Sequence, residues 1–220
     1  MAAVIHSVDP YDYLRRELTL DGRREFVNGR VYALTGGTPR HAMLNANVFG
    51  AALMASRKTG CTVMSQCMLV HVATHNSFYY PDVVATCERL DMDGQTLTAP
   101  CLIVEVLSRS TASIDRREKR AAYTSLPSLQ EYVLVYQDRM RVDLFQRNGT
   151  RWDLTILHQP ANVVPMTCLR ACVTLEEIYR GVTLPLSVGE DLDDDEWGME
   201  LLAQRALAER MAGREGPPTT

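Results

Sequence analysis

A glutamate interrupts the most apolar segment of the chain, Cys101-Leu-Ile-Val-Glu-Val-Leu107. A continuous apolar run of this kind is typical of a central β-strand that is covered on both faces. A buried carboxylate costs free energy unless it is protonated or paired with a positive charge. Glu105 is therefore either the partner of a buried arginine or a metal ligand, and by itself it favours neither interpretation.

A second carboxylate, Asp82, begins a predicted strand earlier in the chain, within Tyr80-Pro-Asp82. A turn at Asp91-Met-Asp-Gly94 separates this strand from the Glu105 strand, so the two strands can lie side by side. Two carboxylates that face one cleft repel each other unless a cation lies between them. Their hard oxygen atoms suit Mg²⁺ or Mn²⁺, so Asp82 and Glu105 are predicted metal ligands.

A lysine follows on the next predicted helix. Asp115, Lys119 and Tyr123 are spaced four residues apart, which places them on one helix face. From that face Lys119 can direct its amine toward the end of the Glu105 strand. An ammonium group there would orient a water molecule or stabilise negative charge on a phosphate. The chain has one other lysine, Lys58.

The predicted elements before the site alternate between helix and strand. Asn28-Gly29 separates two β-prone runs and favours a two-residue hairpin turn, in which Glu25 lies opposite Tyr32. Apolar residues recur at helical spacing after Pro39 and predict a long helix that packs on a sheet. The predicted ranges are a helix at 11–20, strands at 24–27 and 30–34, a helix at 41–58, and strands at 61–72 and 78–86.

The second half of the chain continues this alternation. Hydroxyl groups at Ser110–Ser113 can cap a helix that stops before Pro127. Strand, helix and strand in this order indicate an α/β fold. The predicted ranges are a strand at 101–107, a helix at 114–125, a hairpin of 131–137 and 140–147, a strand at 151–157 and a helix at 173–180.

Charge is divided unevenly along the 220 residues. The segment 189–220 contains nine acidic residues and three arginines, for a net charge of −6, whereas residues 1–188 carry +2. This division predicts a domain at 1–188 and an acidic extension at 189–220 with a helix at 197–211. The nearly neutral domain is compatible with a local basic face for nucleic acid. The extension is either a solvated segment or a mask for the cleft.

Composition excludes several classes of protein. Hydrophobic residues make up 46% and charged residues 23% of the chain, which argues against a disordered, collagen-like or coiled-coil protein. No apolar run approaches the roughly 20 residues that cross a bilayer, and no secretory leader is recognisable, so a cytoplasmic protein is expected. The six cysteines form no CxxC pair, which argues against a zinc knuckle or a disulfide framework and predicts mostly reduced thiols in the core.

The ordered motifs of the chain resemble the PD-(D/E)XK nuclease superfamily and, more closely, the bacterial Uma-type restriction endonuclease family. The resemblance extends from about Tyr11 to Leu184. Each motif alone is weak evidence for the family, whereas the whole set in this order is specific to it. The pieces are Glu25-Phe-Val-Asn-Gly29, Pro39-Arg-His41, Tyr79-Tyr-Pro-Asp82, Leu102-Ile-Val-Glu-Val-Leu-Ser108, Asp115-Arg-Arg-Glu-Lys119, Leu126-Pro-Ser-Leu129 and Glu131-Tyr-Val-Leu-Val135.

The resemblance implies an α/β fold with a restriction-endonuclease-like mixed sheet flanked by helices, an N-terminal helix and hairpin, and a C-terminal helical extension. It implies that Asp82 and Glu105 hold Mg²⁺, with Mn²⁺ as a substitute. The usual lysine of the superfamily lies two residues after the acidic residue, where this chain has Leu107. Uma-type sequences resemble this one in that departure, so Lys119 is the candidate for the lysine's role. Glu25 resembles an additional N-terminal carboxylate that holds a second metal or its water.

Together the residues and the resemblance predict a metal-dependent endonuclease that hydrolyses phosphodiester bonds in DNA. A homodimer is expected because two-fold symmetry matches two cuts on a duplex. The alternative is a noncatalytic protein that keeps the fold and binds nucleic acid or another partner. A third interpretation, a small-molecule hydrolase that uses the same carboxylates, would require a narrow closed pocket.

Other residues near the predicted site have both functional and structural interpretations. His41 at a helix start either contacts substrate or is a satisfied structural group, and the structural role is favoured. Tyr79 and Tyr80 either stack on a base or lie half in the core. Three arginines of the helix after the Glu105 strand either contact DNA phosphates or form a solvated face. They are Arg116, Arg117 and Arg120.

Overall fold

The computed structural model describes residues 8–34, 37–107 and 115–185, without the side chains of positions 115 and 116. The described residues up to Leu184 belong to one compact unit. The caps predicted at Ser110–Ser113, the acidic run and the helix predicted at 197–211 lie outside the described residues. The division into residues 1–188 and 189–220 therefore stays a prediction.

Side-chain caps and prolines define the first two helix starts. The Asp9 side chain accepts backbone hydrogen bonds at the start of one helix, Thr38 does so at the next, and each is followed by a proline. Both helices lie within three residues of their predicted bounds. The helices are α1 (Pro10–Glu17), α2 (Pro39–Ser56), α3 (Arg120–Thr124, preceded by a π-helical turn at Asp115–Lys119) and α4 (Leu175–Ile178).

The strands of the described residues form three sheets. Their bounds follow in chain order. They are β1 (Arg24–Val27), β2 (Arg30–Ala33), β3 (Thr62–Ser65), β4 (Leu69–Val72), β5 (Ser77–Tyr79), β6 (Val83–Thr86), β7 (Thr96–Leu97), β8 (Leu102–Leu107), β9 (Glu131–Tyr136), β10 (Val142–Asn148), β11 (Arg151–Leu157), β12 (Val163–Met166) and β13 (Ala171–Thr174).

A six-stranded sheet with the order β11-β10-β9-β8-β6-β3 is the centre of the fold. β8 pairs antiparallel with β6 and parallel with β9, so the helical segment before β9 belongs to the crossover between the parallel strands. All six residues of β8 are buried, Glu105 included. The predicted central strand and the predicted mixed α/β sheet are confirmed.

The two faces of β8 have different surroundings. Val104 and Val106 belong to an aliphatic core that also contains Leu44 and Val48 of α2. Because side chains alternate along a strand, the Glu105 side chain lies on the opposite face. Aromatic residues pack against one another on that face: Tyr123 of α3 meets Tyr79 and Tyr132 edge to face, and Tyr132 stacks on Phe145. The glutamate is therefore enclosed by aromatic rings on the side away from α2.

A five-stranded sheet with the order β2-β1-β5-β4-β7 carries the N-terminal hairpin. Asn28 and Gly29 form its turn with φ angles of 45° and 89°, the left-handed conformation that this dipeptide tolerates. Glu25 lies opposite Tyr32 as predicted. β1 also pairs with β5, which fixes the hairpin against the chain that leads to Asp82.

The two strands predicted at 61–72 and 78–86 are corrected by the structure. Each is divided into two strands that belong to different sheets, β3 and β4 in the first case, β5 and β6 in the second. The first break contains Gln66 with a φ of 53°, and the second contains Pro81. An alternating pattern shows that a segment is extended, but it does not show that the chain passes from one sheet to another.

The predicted start of the helix at 173–180 is also wrong. The chain continues as β13 to Thr174 and forms only a short helix, α4, before Gly181 at a φ of 74°. Thr174 and Glu177 form a capping box, in which each side chain binds the other residue's backbone N–H. The partner strand β12 was not predicted from the sequence.

The prediction that most cysteines are reduced thiols is wrong for four of the six. The structure joins Cys61 to Cys87 and Cys101 to Cys168 as disulfides. The other two, Cys67 and Cys172, are free and exposed. Spacing gave no sign of these pairs, because the partners are 26 and 67 residues apart and meet only through the sheet topology.

No helix within the described residues is long and apolar enough to cross a membrane.

We predict that Thr174→Ala lowers the free energy of unfolding by about 1 kcal/mol, because the orphan N–H groups of α4 lose their cap. Thr174→Ser keeps a hydroxyl at the same position and should stay within about 0.5 kcal/mol of the wild type. Urea denaturation followed by circular dichroism measures both values. Equal destabilisation by the two variants would contradict the role of the cap.

Candidate active site

Asp82 lies directly before β6, where the chain enters the central sheet. Val83 pairs with Val104 of β8, so continuing the register by one residue brings Asp82 opposite Glu105. Asp82 Oδ2 accepts a hydrogen bond of 2.7 Å from the backbone N–H of Val106. The first carboxylate is therefore fixed to the residue that follows the second one.

Two further side chains hold Asp82. Its Oδ1 accepts a 3.0 Å hydrogen bond from the side-chain amide of Gln66 and lies 3.0 Å from His41 Nε2. Burial raises the pKa of this carboxyl, but His41, the Val106 N–H and Gln66 together outweigh burial, so the pKa lies below its ordinary value. Asp82 is an anion held by three donors.

Glu105 is 4% exposed, and two of its partners lie on α3 and the turn before it. Its Oε1 accepts a 3.2 Å hydrogen bond from the Tyr123 hydroxyl and lies 3.3 Å from Lys119 Nζ. Burial and the nearby Glu105 charge raise the pKa of Tyr123 well above its ordinary value, so this hydroxyl remains a donor. The predicted common face of Lys119 and Tyr123 is confirmed by these contacts.

Lys119 lies between two carboxylates and is 5% exposed. Its Nζ is 2.9 Å from Glu25 Oε1 and 3.3 Å from Glu105 Oε1. The ring of Tyr79 covers the ammonium, with the Nζ 5.6 Å from the ring centroid. An ion pair at such depth is held far more firmly than one on the surface, because leaving either charge alone would cost several kcal/mol.

Glu25 reaches the site from the N-terminal hairpin and is 7% exposed. Besides the ion pair with Lys119, its Oε1 accepts a 3.1 Å hydrogen bond from the backbone N–H of Tyr80. The segment that leads into Asp82 is thus tied to β1. The structure brings Glu25, Asp82, Glu105 and Lys119 into one region, contributed by both large sheets and the helical segment before β9.

The family follows from a comparison of the whole chain with known proteins. The Uma2 family model, described as "Putative restriction endonuclease", matches residues 10–176. The chain belongs to the Uma2 family. The match spans every element from α1 to β13 and the first two residues of α4, as well as the four candidate site residues.

Two Synechocystis sp. PCC 6803 proteins are similar to this Uma2 protein. The uncharacterized protein slr1290 is 28% identical over 184 residues, which cover 82% of this chain and 96% of that protein. The uncharacterized protein sll1609 is 33% identical over 150 residues, which cover 66% of this chain and 85% of that protein.

A solved structure has the same fold. It is the crystal structure of a "putative nuclease belonging to DUF820" from Anabaena variabilis, with a TM-score of 0.67 and 12% sequence identity. The superposition covers 80% of this chain and 99% of that chain. The predicted α/β nuclease-like fold is confirmed by this likeness.

Several residues around the site have structural roles in this Uma2 protein. Tyr79 is buried and donates a 3.3 Å hydrogen bond to Glu118, and Tyr80 donates one of 3.1 Å to Glu17. Stacking of Tyr79 on a base is therefore excluded in this arrangement. His41 Nε2 lies 3.0 Å from Asp82 Oδ1, so this histidine has a polar partner, and whether it also contacts substrate stays untested.

The arginines of the helical segment before β9 differ from one another. Arg120 packs its guanidinium 5.5 Å from the centroid of Phe145, which makes it part of the aromatic face. Arg117 is exposed. The side chain of Arg116 is outside the described residues. Among the arginine side chains that the structure describes in this segment, Arg117 keeps the predicted choice between a phosphate contact and a solvated face, and the choice for Arg116 stays a prediction.

Gln66 is the site residue that sequence reasoning missed. It lies in the break between β3 and β4, inside a range that was predicted as one strand. The adjacent polar residues Ser65 and Gln66, within a mostly apolar range, were the available signal. Both residues bind Asp82, since the Ser65 hydroxyl donates to its backbone carbonyl at 2.9 Å.

We predict that Lys119→Met lowers the free energy of unfolding by about 3 kcal/mol, because Glu25 and Glu105 lose their shared ammonium. Adding Glu105→Gln to Lys119→Met should recover part of that loss. Lys58 is exposed, and Lys58→Met should change the free energy by less than about 0.5 kcal/mol. Urea denaturation of the four proteins measures the series, and similar values for the two lysine variants would contradict the buried ion pairs.

We predict a pH-dependent contribution of Asp82 to stability. Because the pKa of Asp82 is lower in the folded protein than in the unfolded chain, its stabilisation is present above the unfolded pKa of about 3.9. That stabilisation disappears as the pH falls through the lower folded pKa. The difference in unfolding free energy between wild type and Asp82→Asn should therefore shrink toward acid pH. Urea denaturation from neutral to acid pH tests this, and a constant difference would contradict it.

Proposed function

We propose that this Uma2 protein is a metal-dependent endonuclease that hydrolyses phosphodiester bonds in DNA. One observation carries the proposal: Asp82 is hydrogen-bonded to β8 beside Glu105, and the buried ammonium of Lys119 contacts that same glutamate. Two carboxylates and a lysine in one region suit phosphodiester hydrolysis. The family description and the name of the Anabaena structure also support a nuclease.

The donor set fits a hard divalent cation. Asp82 and Glu105 offer carboxylate oxygens, the ligands that Mg²⁺ and Mn²⁺ prefer. A carboxylate has about four acceptor sites, and the described partners of Asp82 use three of them. When bound, such an ion would polarise a phosphoryl oxygen and lower the pKa of a water molecule. We assign Asp82 and Glu105 as its ligands, with Mg²⁺ as the natural ion and Mn²⁺ as a substitute.

Lys119 would stabilise the negative charge that develops on the phosphate during hydrolysis. Its ammonium is held by Glu25 and Glu105 before any substrate binds, so little reorganisation is needed at the moment of reaction. Glu25 positions that ammonium and provides an additional carboxylate for a second metal or its water. His41 and Gln66 hold Asp82 in one orientation.

The reaction requires no covalent enzyme intermediate. A water oxygen forms a bond to phosphorus, the bond from phosphorus to one ester oxygen breaks, and that oxygen takes up a proton. The water releases one proton to solvent or to a nearby carboxylate. DNA, a homodimer and a cytoplasmic location remain predictions from the sequence, and the exposed Arg117 is a candidate phosphate contact.

A noncatalytic nucleic-acid-binding protein is the second candidate, and one observation favours it. The Lys119 ammonium already contacts both Glu25 and Glu105. The buried charges therefore have partners without a metal ion, and the cluster could serve stability alone.

We predict that the wild type nicks supercoiled plasmid DNA with Mg²⁺ or Mn²⁺ and that excess EDTA abolishes the nicking. Asp82→Asn, Glu105→Gln and Lys119→Ala should each reduce the rate by at least about 100-fold, because each removes a proposed ligand or the charge-stabilising ammonium. Agarose electrophoresis measures the loss of supercoiled DNA, and circular dichroism confirms that each variant is folded.

Matched surface variants control for the loss of charge. Asp93→Asn, Glu88→Gln and Lys58→Ala change exposed residues of the same types and should keep the wild-type rate. Equal nicking by all seven proteins would indicate a contaminating nuclease. DNA binding by gel shift without nicking at any metal concentration would favour the noncatalytic protein, and nicking in EDTA would contradict the metal-dependent mechanism.

A further inference from the structure

The topology of the central sheet gathers four cysteines at one end. β3 pairs antiparallel with β6, and β6 pairs antiparallel with β8. The start of β3, the end of β6 and the start of β8 therefore lie at the same end of the sheet. Cys61, Cys87 and Cys101 occupy those three positions. Cys168 joins them from the short 3₁₀ turn at Thr167–Leu169, between β12 and β13.

Three of the four sulfur atoms form one cluster, and the fourth is bonded to a member of that cluster. The Sγ atoms of Cys87, Cys101 and Cys168 all lie within 4.8 Å of one another. The Sγ of Cys61 is bonded to that of Cys87 and lies at the edge of this cluster. Between the two disulfides, Cys87 Sγ and Cys101 Sγ are 3.7 Å apart.

Four cysteines in one place support two chemistries. Oxidised, they pair as the two disulfides of this structure. Reduced, they offer four thiolates to one metal ion. Zinc–sulfur bonds of about 2.3 Å in a tetrahedron place neighbouring sulfurs about 3.8 Å apart, which the Cys87–Cys101 separation matches.

We propose that the reduced protein binds one Zn²⁺ ion through the thiolates of Cys61, Cys87, Cys101 and Cys168. Soft sulfur ligands in a tetrahedral set suit Zn²⁺ rather than the Mg²⁺ assigned to the carboxylates. Four protein ligands leave no open position, so the zinc is structural and not catalytic. The ion would fasten the ends of three central strands to the β12–β13 hairpin.

The surroundings of the cluster suit this role. Cys101 is buried, Cys168 is half-buried and Cys87 is exposed, which gives a metal ion a path from solvent. The turn that carries Cys168 is held independently, because Thr167 donates from its backbone N–H at 3.3 Å and from its hydroxyl to Glu131 of β9. Three of the ligands therefore start from strand ends and the fourth from an anchored turn.

The zinc site is independent of the proposed nuclease function. Asp82 precedes β6 and Cys87 follows it, and five residues of extended chain span about 17 Å. The two sites lie at opposite ends of the strand. Failure of either proposal leaves the other unaffected, since one is tested by metal content and the other by DNA cleavage.

The test uses the full chain without an affinity tag, produced with zinc in the medium and purified in a metal-free phosphine reductant. Wild type should contain about one zinc per chain by plasma mass spectrometry. Cys61→Ser, Cys87→Ser, Cys101→Ser and Cys168→Ser should each lower the zinc content at least about fivefold. Cys67→Ser and Cys172→Ser change the two free, exposed cysteines and should keep the zinc.

A second measurement uses the wild type alone and therefore tests the zinc site even if the cysteine variants fail to fold. Replacing zinc with Co²⁺ should give the intense thiolate-to-cobalt charge-transfer band and the visible bands of a tetrahedral sulfur site. A strong chelator should release the ion, expose four additional reactive thiols and lower the Tm by at least about 5 °C.

Three results would overturn the zinc site. The first is a wild type that is folded and reduced but, after dialysis against Zn²⁺ or Co²⁺, has all its thiols reactive, contains no zinc and shows no cobalt bands. The second is a pair of disulfides that survives purification in the reductant. The third is iron in the cluster, since an iron–sulfur cluster is the other common occupant of four thiolates.

Discussion

The carboxylate of Glu105 is the constraint around which this Uma2 fold is arranged. It lies in the middle of a strand whose residues are all buried, where an unpaired negative charge would be very costly. The Lys119 ammonium and the Tyr123 hydroxyl offset that cost, and Glu25 holds the ammonium from the other side. A single ammonium group thereby ties the N-terminal hairpin, the central sheet and the helical segment before β9 to one another.

The passage of the chain from one sheet to the other supplies the remaining groups. At Tyr80 the backbone N–H leaves the ladder and binds Glu25, and two residues later Asp82 binds the backbone of β8. Pro81 between them has no N–H to satisfy, so the crossing leaves no donor unpaired there. The same contacts that satisfy the buried backbone also fix the orientation of the carboxylates. A site built this way is preorganised, which is what charge stabilisation in catalysis requires.

Much of the fold was predictable because it depends on local chemistry. The Asn28-Gly29 turn, the long helix after Pro39 and the buried strand around Glu105 follow from turn propensity, periodicity and apolar length. The division of two predicted strands between sheets was not predictable, since an extended segment has the same pattern in either sheet. Gln66 was missed for the same reason: its contact with Asp82 exists only because the chain bends there.

The amino-acid sequence by itself determined which groups are present and which face of each element carries them. It set Glu105 opposite the aliphatic side of its strand and placed Lys119 and Tyr123 on one helix face, because residue spacing fixes side-chain direction. Only the tertiary structure decided that Lys119 lies between Glu25 and Glu105, and that four scattered cysteines form two neighbouring disulfides. Such meetings depend on which strands pair, and strand pairing is settled by packing over long separations rather than by local spacing.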